Sequence, residues 1–182
     1  NIAVLTGIGA EHTDGFPSLG DTANEKGKLL STVGGKGFAV LNGDDPWCRV
    51  IARKYSCRVL WFGTTPQCDL WASSVESRWP DRMRMLVHGG TQTIPVRTRL
   101  IGLQWSVPVL AAMLAARECG IDLEEAAEVA GKMEPHPARM QPVELANGTT
   151  LIRDEYNGSA GTTEAALGFL AEVRNRRRIV VL

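Results

Sequence analysis

The sequence predicts an α/β fold in which a mainly parallel sheet is covered by helices on both faces. Short apolar runs alternate with helix-like segments over the first part of the chain, which is typical of βαβ units. Residues 69–99 instead alternate polar and apolar side chains around turn signals at Pro80-Asp81 and Gly89-Gly90, which predicts a small antiparallel meander. After Pro137 a new α/β pattern begins, so we expect the start of a second α/β unit there.

The elements before the meander follow from local patterns. Ser18 and Asp21 form a weak capping pair, and Pro46 is tolerated in a first helical turn. Because helices separate the apolar runs, we expect the strands to run parallel. The predicted elements are a strand at 2–5, a glycine-rich loop at 7–17, a helix from 18 to about 33, a strand at 37–41, a helix from 44 and a strand at 57–62.

The remaining elements include a linker. Gly120 ends an Ala/Leu-rich helix over 107–119, and Asp122 precedes a helix over 123–133. Residues 134–137, with two prolines, break helices, so we predict one domain over 1–138 and another beginning at 139–182. This second part is too short to bury both faces of its strands, so we expect it to pack on the first part or on another copy of the chain, or else to be less ordered than the residues before Pro135. Its predicted elements are strands at 141–145, 149–153 and 178–182 and a helix at 162–173.

Composition excludes several classes of protein. Lys plus Arg and Asp plus Glu are equal at 20 each, so neither nucleic acid nor an anionic membrane is an expected partner. The four cysteines have no CxxC spacing, which argues against a zinc site. No apolar run approaches the roughly 20 residues of a membrane span, and we expect a cytoplasmic location. Strand-like runs at both ends predict that N-terminal and C-terminal portions of a parent chain are missing.

A glycine-rich loop leaves the first predicted strand. It holds Glu11, His12 and Asp14, three potential metal ligands within four residues. Open α/β sheets bind ligands where their strands end, and carboxylates with waters suit Mg²⁺. The alternative interpretation is a polar loop with a solvated histidine.

Three further groups of residues are candidates. Lys26 lies on a predicted helix, where a lysine is usually a solvated surface residue. Asp44 and Asp45 follow a strand, where they either face a ligand or cap the next helix. Arg139, in the predicted linker, either offers a phosphate-binding guanidinium between two domains or is a surface residue.

A last candidate is the turn at residues 153–159, where a strand leads into Gly158 and Ser159 before a helix. Such a turn either holds phosphate at the helix N-terminus or only connects the two elements.

Taken in order, five segments of the chain resemble the Mur ligase family, most closely its D-alanyl-D-alanine-adding branch, the UDP-MurNAc-tripeptide ligases. Their order and spacing extend over nearly the whole chain, which makes the resemblance more specific than any one motif. The segments are Thr-Gly-Ile-Gly-Ala-Glu-His at 6–12 with Gly15-Phe16 and Ser18-Leu19, Glu-Lys-Gly at 25–27, Leu-Asn-Gly-Asp-Asp at 41–45, Pro-Ala-Arg-Met-Gln at 137–141 and Asp-Glu-Tyr-Asn at 154–157.

The resemblance implies a P-loop-type central, ATP-binding domain that lacks its N-terminal part, followed by the start of a Rossmann-like C-terminal domain. It also implies roles for these residues. His12, with Glu11, falls at the position that binds a Mg²⁺ ion, and Lys26 at a lysine often carbamylated to give that ion an oxygen ligand. Arg139 matches a hinge arginine that approaches the ATP phosphates. The positions implied in ATP or substrate binding are Asn42, Asp44, Asp45, Asp154, Tyr156 and Asn157.

The reaction implied by the resemblance is ATP-dependent amide formation in peptidoglycan biosynthesis. A substrate carboxylate attacks the γ-phosphate, and an amine then displaces phosphate from the acyl-phosphate. The implied cofactors are ATP and Mg²⁺, and the implied partners are nucleotides and UDP-sugar-peptide-like small molecules. Positioning and neutralisation of charge supply most of the catalysis.

The sequence also departs from the family pattern. It contains no Gly-Thr-x-Gly-Lys-Thr phosphate loop, so we expect the 182 residues to be inactive in isolation. Gln104, Trp105 and Pro108 replace His, Asn and Asn, and Ala138 replaces a glycine. Two alternatives therefore stay open. One is a non-catalytic Mur-like scaffold or binding module, and the other is a ligase of the folylpolyglutamate, cyanophycin or polyglutamate synthetase type.

Overall fold

The computed structural model describes residues 1–9, 15–174 and 177–181. Within them it contains eight strands and five α-helices, with two short 3₁₀ helices at Lys28–Thr32 and Leu103–Trp105. In chain order the elements are β1 (Ile2–Leu5), α1 (Leu19–Gly27), β2 (Phe38–Asn42), α2 (Pro46–Ala52), β3 (Arg58–Gly63), β4 (Leu70–Glu76), β5 (Arg84–Gly89), β6 (Gln92–Arg97), α3 (Ser106–Glu118), α4 (Leu123–Lys132), β7 (Gln141–Glu144), β8 (Thr150–Arg153) and α5 (Ala160–Glu172).

Strands β1 to β6 form one sheet in the order of the chain. β1 to β4 are parallel, and β5 and β6 complete an antiparallel meander with β4. The predicted α/β fold and the meander are thus confirmed, and the meander continues the parallel sheet. β4 overlaps β3 by only the pairs Phe62 with Leu70 and Gly63 with Trp71, so the short loop at 64–69 can join two parallel strands.

Two cores lie on opposite faces of this sheet. Helices α1 and α2 cover one face of β1 and β2, with Leu41 and Ile51 buried between them. Helices α3 and α4 cover the other face, where Phe62 and Leu114 are fully buried. All five residues of β2 are buried, as expected for a parallel strand covered on both sides. The prediction of helices on both faces is confirmed.

The outer face of the meander remains open. Trp71 stacks on His88 there, with ring centroids 3.9 Å apart, and Leu86 is 36% exposed. Helix α2 packs only against the first strands of the sheet and does not cover the meander. Exposed and buried side chains therefore alternate along the meander, as in an antiparallel sheet covered on one face.

The helix predicted over residues 18–33 is shorter than expected. Ser18 caps α1 as predicted, since its hydroxyl oxygen accepts from the backbone N–H of Asp21 at 3.2 Å. The α-helix ends at Gly27, where a Cβ atom would lie 3.1 Å from the side chain of Ile51. After this close approach to α2 the chain tightens into the 3₁₀ helix at 28–32.

The second unit, which we define as residues 141–173, consists of the β7–β8 hairpin and α5. Helix α5 begins two residues earlier than predicted because Ser159 and Thr162 form a capping box. Phe169 and Val173 pack with Met140 against Ile101 of the first part, so the expected packing between the two parts is confirmed. Among residues 177–181 no strand forms, so that prediction is wrong, and Leu182 lies outside the described residues.

The division into domains at Ala138 and Arg139 stays a prediction. In the part of the chain that the structure describes, none of the helices has both the length and the apolar character needed to cross a membrane.

Candidate functional site at the carboxyl edge of the sheet

The parallel strands end at one edge of the sheet, which we call the carboxyl edge. The backbone of Thr6 and Gly7 follows β1 there, and the turn from Asn42 to Asp45 follows β2. Helix α3 begins on the same side, because its last residue, Glu118, forms a salt bridge with Arg58 at the opposite end of β3. This is where open α/β sheets bind ligands.

Asn42 ties these two strand exits together. It is only 8% exposed, and its side-chain Nδ2 donates to the backbone oxygen of Thr6 at 2.9 Å. Its Oδ1 accepts from the N–H of Asp44 at 2.9 Å, which fixes the turn after β2. The buried amide thus uses one donor and its acceptor oxygen within the protein.

Asp45 makes a second connection between the same exits. Its Oδ2 accepts from the backbone N–H of Ile8 at 2.7 Å. Its Oδ1 accepts from the N–H groups of Trp47 and Cys48 at 2.7 and 3.2 Å, so Asp45 is the N-cap of α2. Burial, with a smaller effect of the Asp45 charge, raises the pKa of the Cys48 thiol to about 11. The helix-capping alternative for Asp45 is therefore one of its actual roles.

Asp44 has a different environment from its two neighbours. Its side chain is exposed, and its carboxylate lies over Gly63 at the end of β3, where a Cβ atom would be only 2.8 Å from Oδ1. None of the salt bridges among the described residues involves Asp44. Its charge is thus presented at the carboxyl edge.

Lys26 lines a groove of about 570 Å³ beside the exit of β1. Its side chain is half-buried, and within the described residues it has no carboxylate oxygen within 4.0 Å. Lys28 differs, because its Nζ lies 2.5 Å from Glu25, and this hydrogen bond raises the pKa of Lys28. The groove is lined by Val4, Leu5, Thr6, Gly7, Glu25, Lys26, Lys28, Leu29 and Thr32.

Three predicted metal ligands, Glu11, His12 and Asp14, lie outside the described residues, and the expected proximity of His12 to Lys26 stays a prediction. Among residues 1–9, 15–174 and 177–181 no group of three His, Cys, Asp or Glu side chains is placed to hold a metal ion. A hard cation at the groove would therefore need oxygen ligands from the loop together with a carbamylated Lys26. The groove fits that requirement because it adjoins Thr6 and Gly7, where the loop begins.

A second group of predicted residues meets where the two parts of the chain join. The guanidinium carbon of Arg139 lies 5.2 Å from the ring centroid of Tyr156, and its Nη1 donates to the backbone oxygen of Asn157 at 3.4 Å. Arg139 is half-buried and, among the described residues, forms no salt bridge. Its charge is thus held by an aromatic face and a carbonyl rather than by a carboxylate.

The same joint contains backbone strain. Ala138, Met140 and Asn157 have φ angles of 60°, 46° and 47°, a region that costs residues other than glycine roughly 1–2 kcal/mol each and asparagine less. Asp154 Oδ1 accepts from the N–H of Met140 at 2.9 Å, and the N–H of Tyr156 donates to the oxygen of Ala138 at 3.1 Å. The joint conformation is therefore maintained by contacts with the second unit.

The structure thus sorts the predicted residues into two groups. Lys26, Asn42, Asp44 and Asp45 surround the exits of β1 and β2, whereas the second group lies at the joint. None of the hydrogen bonds or salt bridges within the described ranges links the two. Sequence reasoning missed Gln141, whose Oε1 accepts from the N–H of Ala138 at 3.1 Å, although Gln141 ends the Pro-Ala-Arg-Met-Gln segment.

The fold and the residues at the carboxyl edge together define an open α/β domain. Domains of this kind bind their ligands beyond the ends of the parallel strands. Residues 1–116 match the Mur ligase middle domain family. The chain belongs to the Mur ligase family, as the sequence resemblance indicated.

Relatives in this family extend over almost the whole chain. A UDP-N-acetylmuramoyl-tripeptide–D-alanyl-D-alanine ligase of Mycobacterium bovis is 29% identical over 97% of this chain and 35% of its own length. A UDP-N-acetylmuramoyl-L-alanyl-D-glutamate–2,6-diaminopimelate ligase of Geobacillus thermodenitrificans is 27% identical over 100% of this chain and 38% of its own length. The chain therefore spans little more than a third of the length of these relatives.

Solved structures show the same fold. MurF from Acinetobacter baumannii superposes with a TM-score of 0.84 at 20% identity, over 94% of this chain and 37% of that protein. A pseudomurein peptide ligase type C from Methanothermus fervidus gives a TM-score of 0.74 at 17% identity, over 91% of this chain and 40% of its own.

Proposed function

We propose that the chain is part of an ATP-dependent amide ligase. In this reaction a substrate carboxylate attacks the γ-phosphate of ATP to give an acyl-phosphate and ADP. An amine then attacks the acyl carbon, and phosphate leaves with the amide bond formed. Membership of the Mur ligase family supports this reaction, and the groove beside Lys26 at the carboxyl edge is the observation that carries it.

The proposed substrates follow from the relatives. Their names describe UDP-N-acetylmuramoyl peptides as acceptors, with a dipeptide or an amino acid as the added group. We infer an acceptor of this UDP-sugar-peptide type, an amino acid or dipeptide as the amine, and a role in peptidoglycan biosynthesis in the cytoplasm.

A divalent cation has a defined place in this proposal. His12, Glu11 and a carbamylated Lys26 would hold Mg²⁺, whose charge neutralises phosphate oxygens when it is bound. The half-buried position of Lys26, with no carboxylate in reach among the described residues, supports carbamylation. The exposed carboxylate of Asp44 adds a further negative group at the same edge.

We assign the binding of nucleotide and amine to the joint. Arg139 would approach the phosphates when the second domain, residues 139–182, closes over the first, residues 1–138. Tyr156 and Asn157 hold Arg139, and Asp154 holds the adjoining backbone of Met140, so closure moves these groups together. Since the 182 residues contain no phosphate loop, we expect them not to form amide alone.

A non-catalytic Mur-like module is the second candidate. Trp105 stands where the best-known family members have a polar residue, and it packs against the larger core. The side chain of Gln104 folds back over Gly102, where a Cβ atom would overlap its Oε1 and only glycine leaves room. Trp105 has no side-chain amide, and that of Gln104 lies against the backbone of its own turn.

Carbamylation of Lys26 tests the proposal. The protein is equilibrated with ¹³C-bicarbonate and Mg²⁺, and the carbamate carbon is observed by NMR in wild type, Lys26→Arg and Lys28→Arg. Lys28 is the matched control because its bond to Glu25 raises its pKa, and only a neutral amine reacts with CO₂. We expect the signal in wild type and Lys28→Arg and its loss in Lys26→Arg. A signal that survives in Lys26→Arg, or that is missing from wild type, would exclude this role.

A further inference from the structure

We propose that Asn42 and Asp45 are positioning residues, which fix the loop leaving β1 and thereby the cation-binding residues expected on it. This inference rests on the proposed function and assigns to these two side chains an indirect role in place of direct contact with nucleotide. Four hydrogen bonds carry it, two at each end of the connection between the exits of β1 and β2.

Asp45 needs both carboxylate oxygens for its contacts. Oδ1 caps α2 through Trp47 and Cys48, and Oδ2 accepts from Ile8 on the loop. A carboxylate is an acceptor at both oxygens, so it can serve a helix and a loop at once. An amide has only one acceptor and could serve only one of them.

Asn42 donates a hydrogen bond to the loop, whereas Asp45 accepts one from it. The amide of Asn42 donates to the carbonyl of Thr6, two residues before the N–H that Asp45 accepts. The two tethers therefore flank Gly7, where a Cβ atom would lie 3.3 Å from Asp45 Oδ2. With a carbonyl fixed on one side and an N–H on the other, the backbone from Thr6 to Ile8 is held beside the groove of Lys26, which Thr6 and Gly7 line.

These contacts lie one step further from the cation than outer-shell hydrogen bonds, which are made to the metal ligands themselves. Loss of an outer-shell partner typically weakens metal binding by 10–100-fold without removing any ligand. Asn42 is buried and Asp45 half-buried, so water replaces their bonds poorly. The proposal therefore predicts a cation affinity that depends on residues that do not touch the cation.

Two variants remove a tether and keep the remaining contacts. Asp45→Asn retains one acceptor for the helix cap, where asparagine is favoured, and its NH₂ cannot accept from Ile8. Asn42→Asp retains the acceptor for Asp44 and replaces the donor to Thr6 by an oxygen. Asp122→Asn is the matched control, because Asp122 is the N-cap of α4 and its side chain makes no capping bond.

Two measurements on the 182-residue chain decide the matter. Hydrogen exchange of the Ile8 amide reports the loop, and exchange at Cys48 reports α2. Electron paramagnetic resonance with Mn²⁺ as the probe reports cation affinity. We expect Ile8 to exchange at least about 10-fold faster in Asp45→Asn and Asn42→Asp, with Cys48 unchanged and Mn²⁺ affinity lower by about 10-fold. Asp122→Asn should match wild type in both.

Other outcomes separate this inference from the proposed function. Unchanged exchange at Ile8 in both variants would overturn the tethers, and faster exchange with unchanged Mn²⁺ affinity would reduce them to structural contacts. A wild-type chain with no affinity for Mn²⁺ would instead contradict the cation site of the proposed function, while the exchange at Ile8 still decides whether the tethers fix the loop.

Discussion

The first part of the chain and the second unit differ in how they are held together. The six-stranded sheet has a core on each face, and Phe62, Leu110 and Leu114 are at most 2% exposed. The second unit buries only Phe169 and Val173, and neither strand of its hairpin contains a buried residue. Its core is completed by Ile101 of the first part, so the second unit depends on docking for its stability.

The two regions also differ in the backbone conformation of their connections. The exits of β1 and β2 are fixed by the N-cap of α2 and by partly buried hydrogen bonds, whereas the joint has three residues with positive φ. Contacts with Asp154 and Tyr156 of the second unit hold the backbone of the joint. The difference teaches that stability is concentrated in the first part, and that the conformation of the joint depends on docking of the second unit.

The largest expected effect is in the core of the first part. Phe62→Ala should cost about 3–5 kcal/mol, because it removes a fully buried ring between the sheet and α3. Both parts should lose structure together in a urea titration followed by circular dichroism. Leu86→Ala, on the open face of the meander, is the control and should change stability by roughly 0.5 kcal/mol or less. Equal losses in both variants would contradict the account.

A smaller effect on global unfolding is expected from Phe169→Ala. Since the second unit can open separately, the cost to the first part should be roughly 1 kcal/mol or less. Amide exchange in β8 should accelerate strongly while that in β2 stays slow. Ile101→Ala should reproduce this result, although Ile101 lies in the first part, because it packs on the same cluster. Simultaneous opening of β2 and β8 would show that the two parts form one cooperative unit.

Ala138→Gly should stabilise the docked joint. Relief of a left-handed alanine yields roughly 1–2 kcal/mol, and the greater freedom of glycine in the unfolded chain takes back about 0.4–1 kcal/mol. The net gain is about 0–1.6 kcal/mol, seen as slower exchange in β8. The same substitution at Ala112, exposed in the middle of α3, should destabilise by about 1 kcal/mol. Effects of the same sign at both positions would remove the argument for strain at the joint.

The smallest expected effect is on the chemical labelling of cysteines in the first part. The thiolate is the reactive form, and the raised pKa of Cys48, about 11, keeps this buried thiol protonated at pH 8. Iodoacetamide should therefore modify exposed Cys119 first, and Cys48 only on unfolding. Cys48 should stay protected in Phe169→Ala, as mass spectrometry of digests can show. Rapid labelling of Cys48 in that variant would mean that the second unit supports the first.

The sequence predicted those secondary-structure elements that depend only on neighbouring residues in the chain. The Ser18 cap, the start of α2 at Pro46 and the antiparallel meander were all readable from residue types and spacing. The continuation of the meander from β3 was not, because it depends on the two-pair contact between β3 and β4. The strand expected at 178–182 failed over 177–181 because an apolar run forms a strand only beside a partner.

The candidate site was predictable only as a set of residues. The order of the motifs indicated the family and named Lys26, Asn42 and Asp45 as candidates, and the structure brought these three to one edge of the sheet. The hydrogen bonds from Asn42 and Asp45 to the backbone after β1 depend on the pairing of β1 with β2. No motif in the sequence encodes that pairing. The positive φ angles of Ala138 and Met140 carried no signal either, since neither residue is glycine or asparagine.

The central claim is that the carboxyl edge of the first part holds the cation. Addition of Mn²⁺ to ¹⁵N-labelled protein tests it directly, because the ion broadens nearby amide signals in an NMR spectrum. We predict that Gly7, Lys26 and Asp44 lose intensity at low Mn²⁺ concentration, while Phe38 and Arg58, at the opposite ends of β2 and β3, keep theirs. Broadening centred on Phe38 and Arg58, or none at Gly7 and Lys26, would contradict the account.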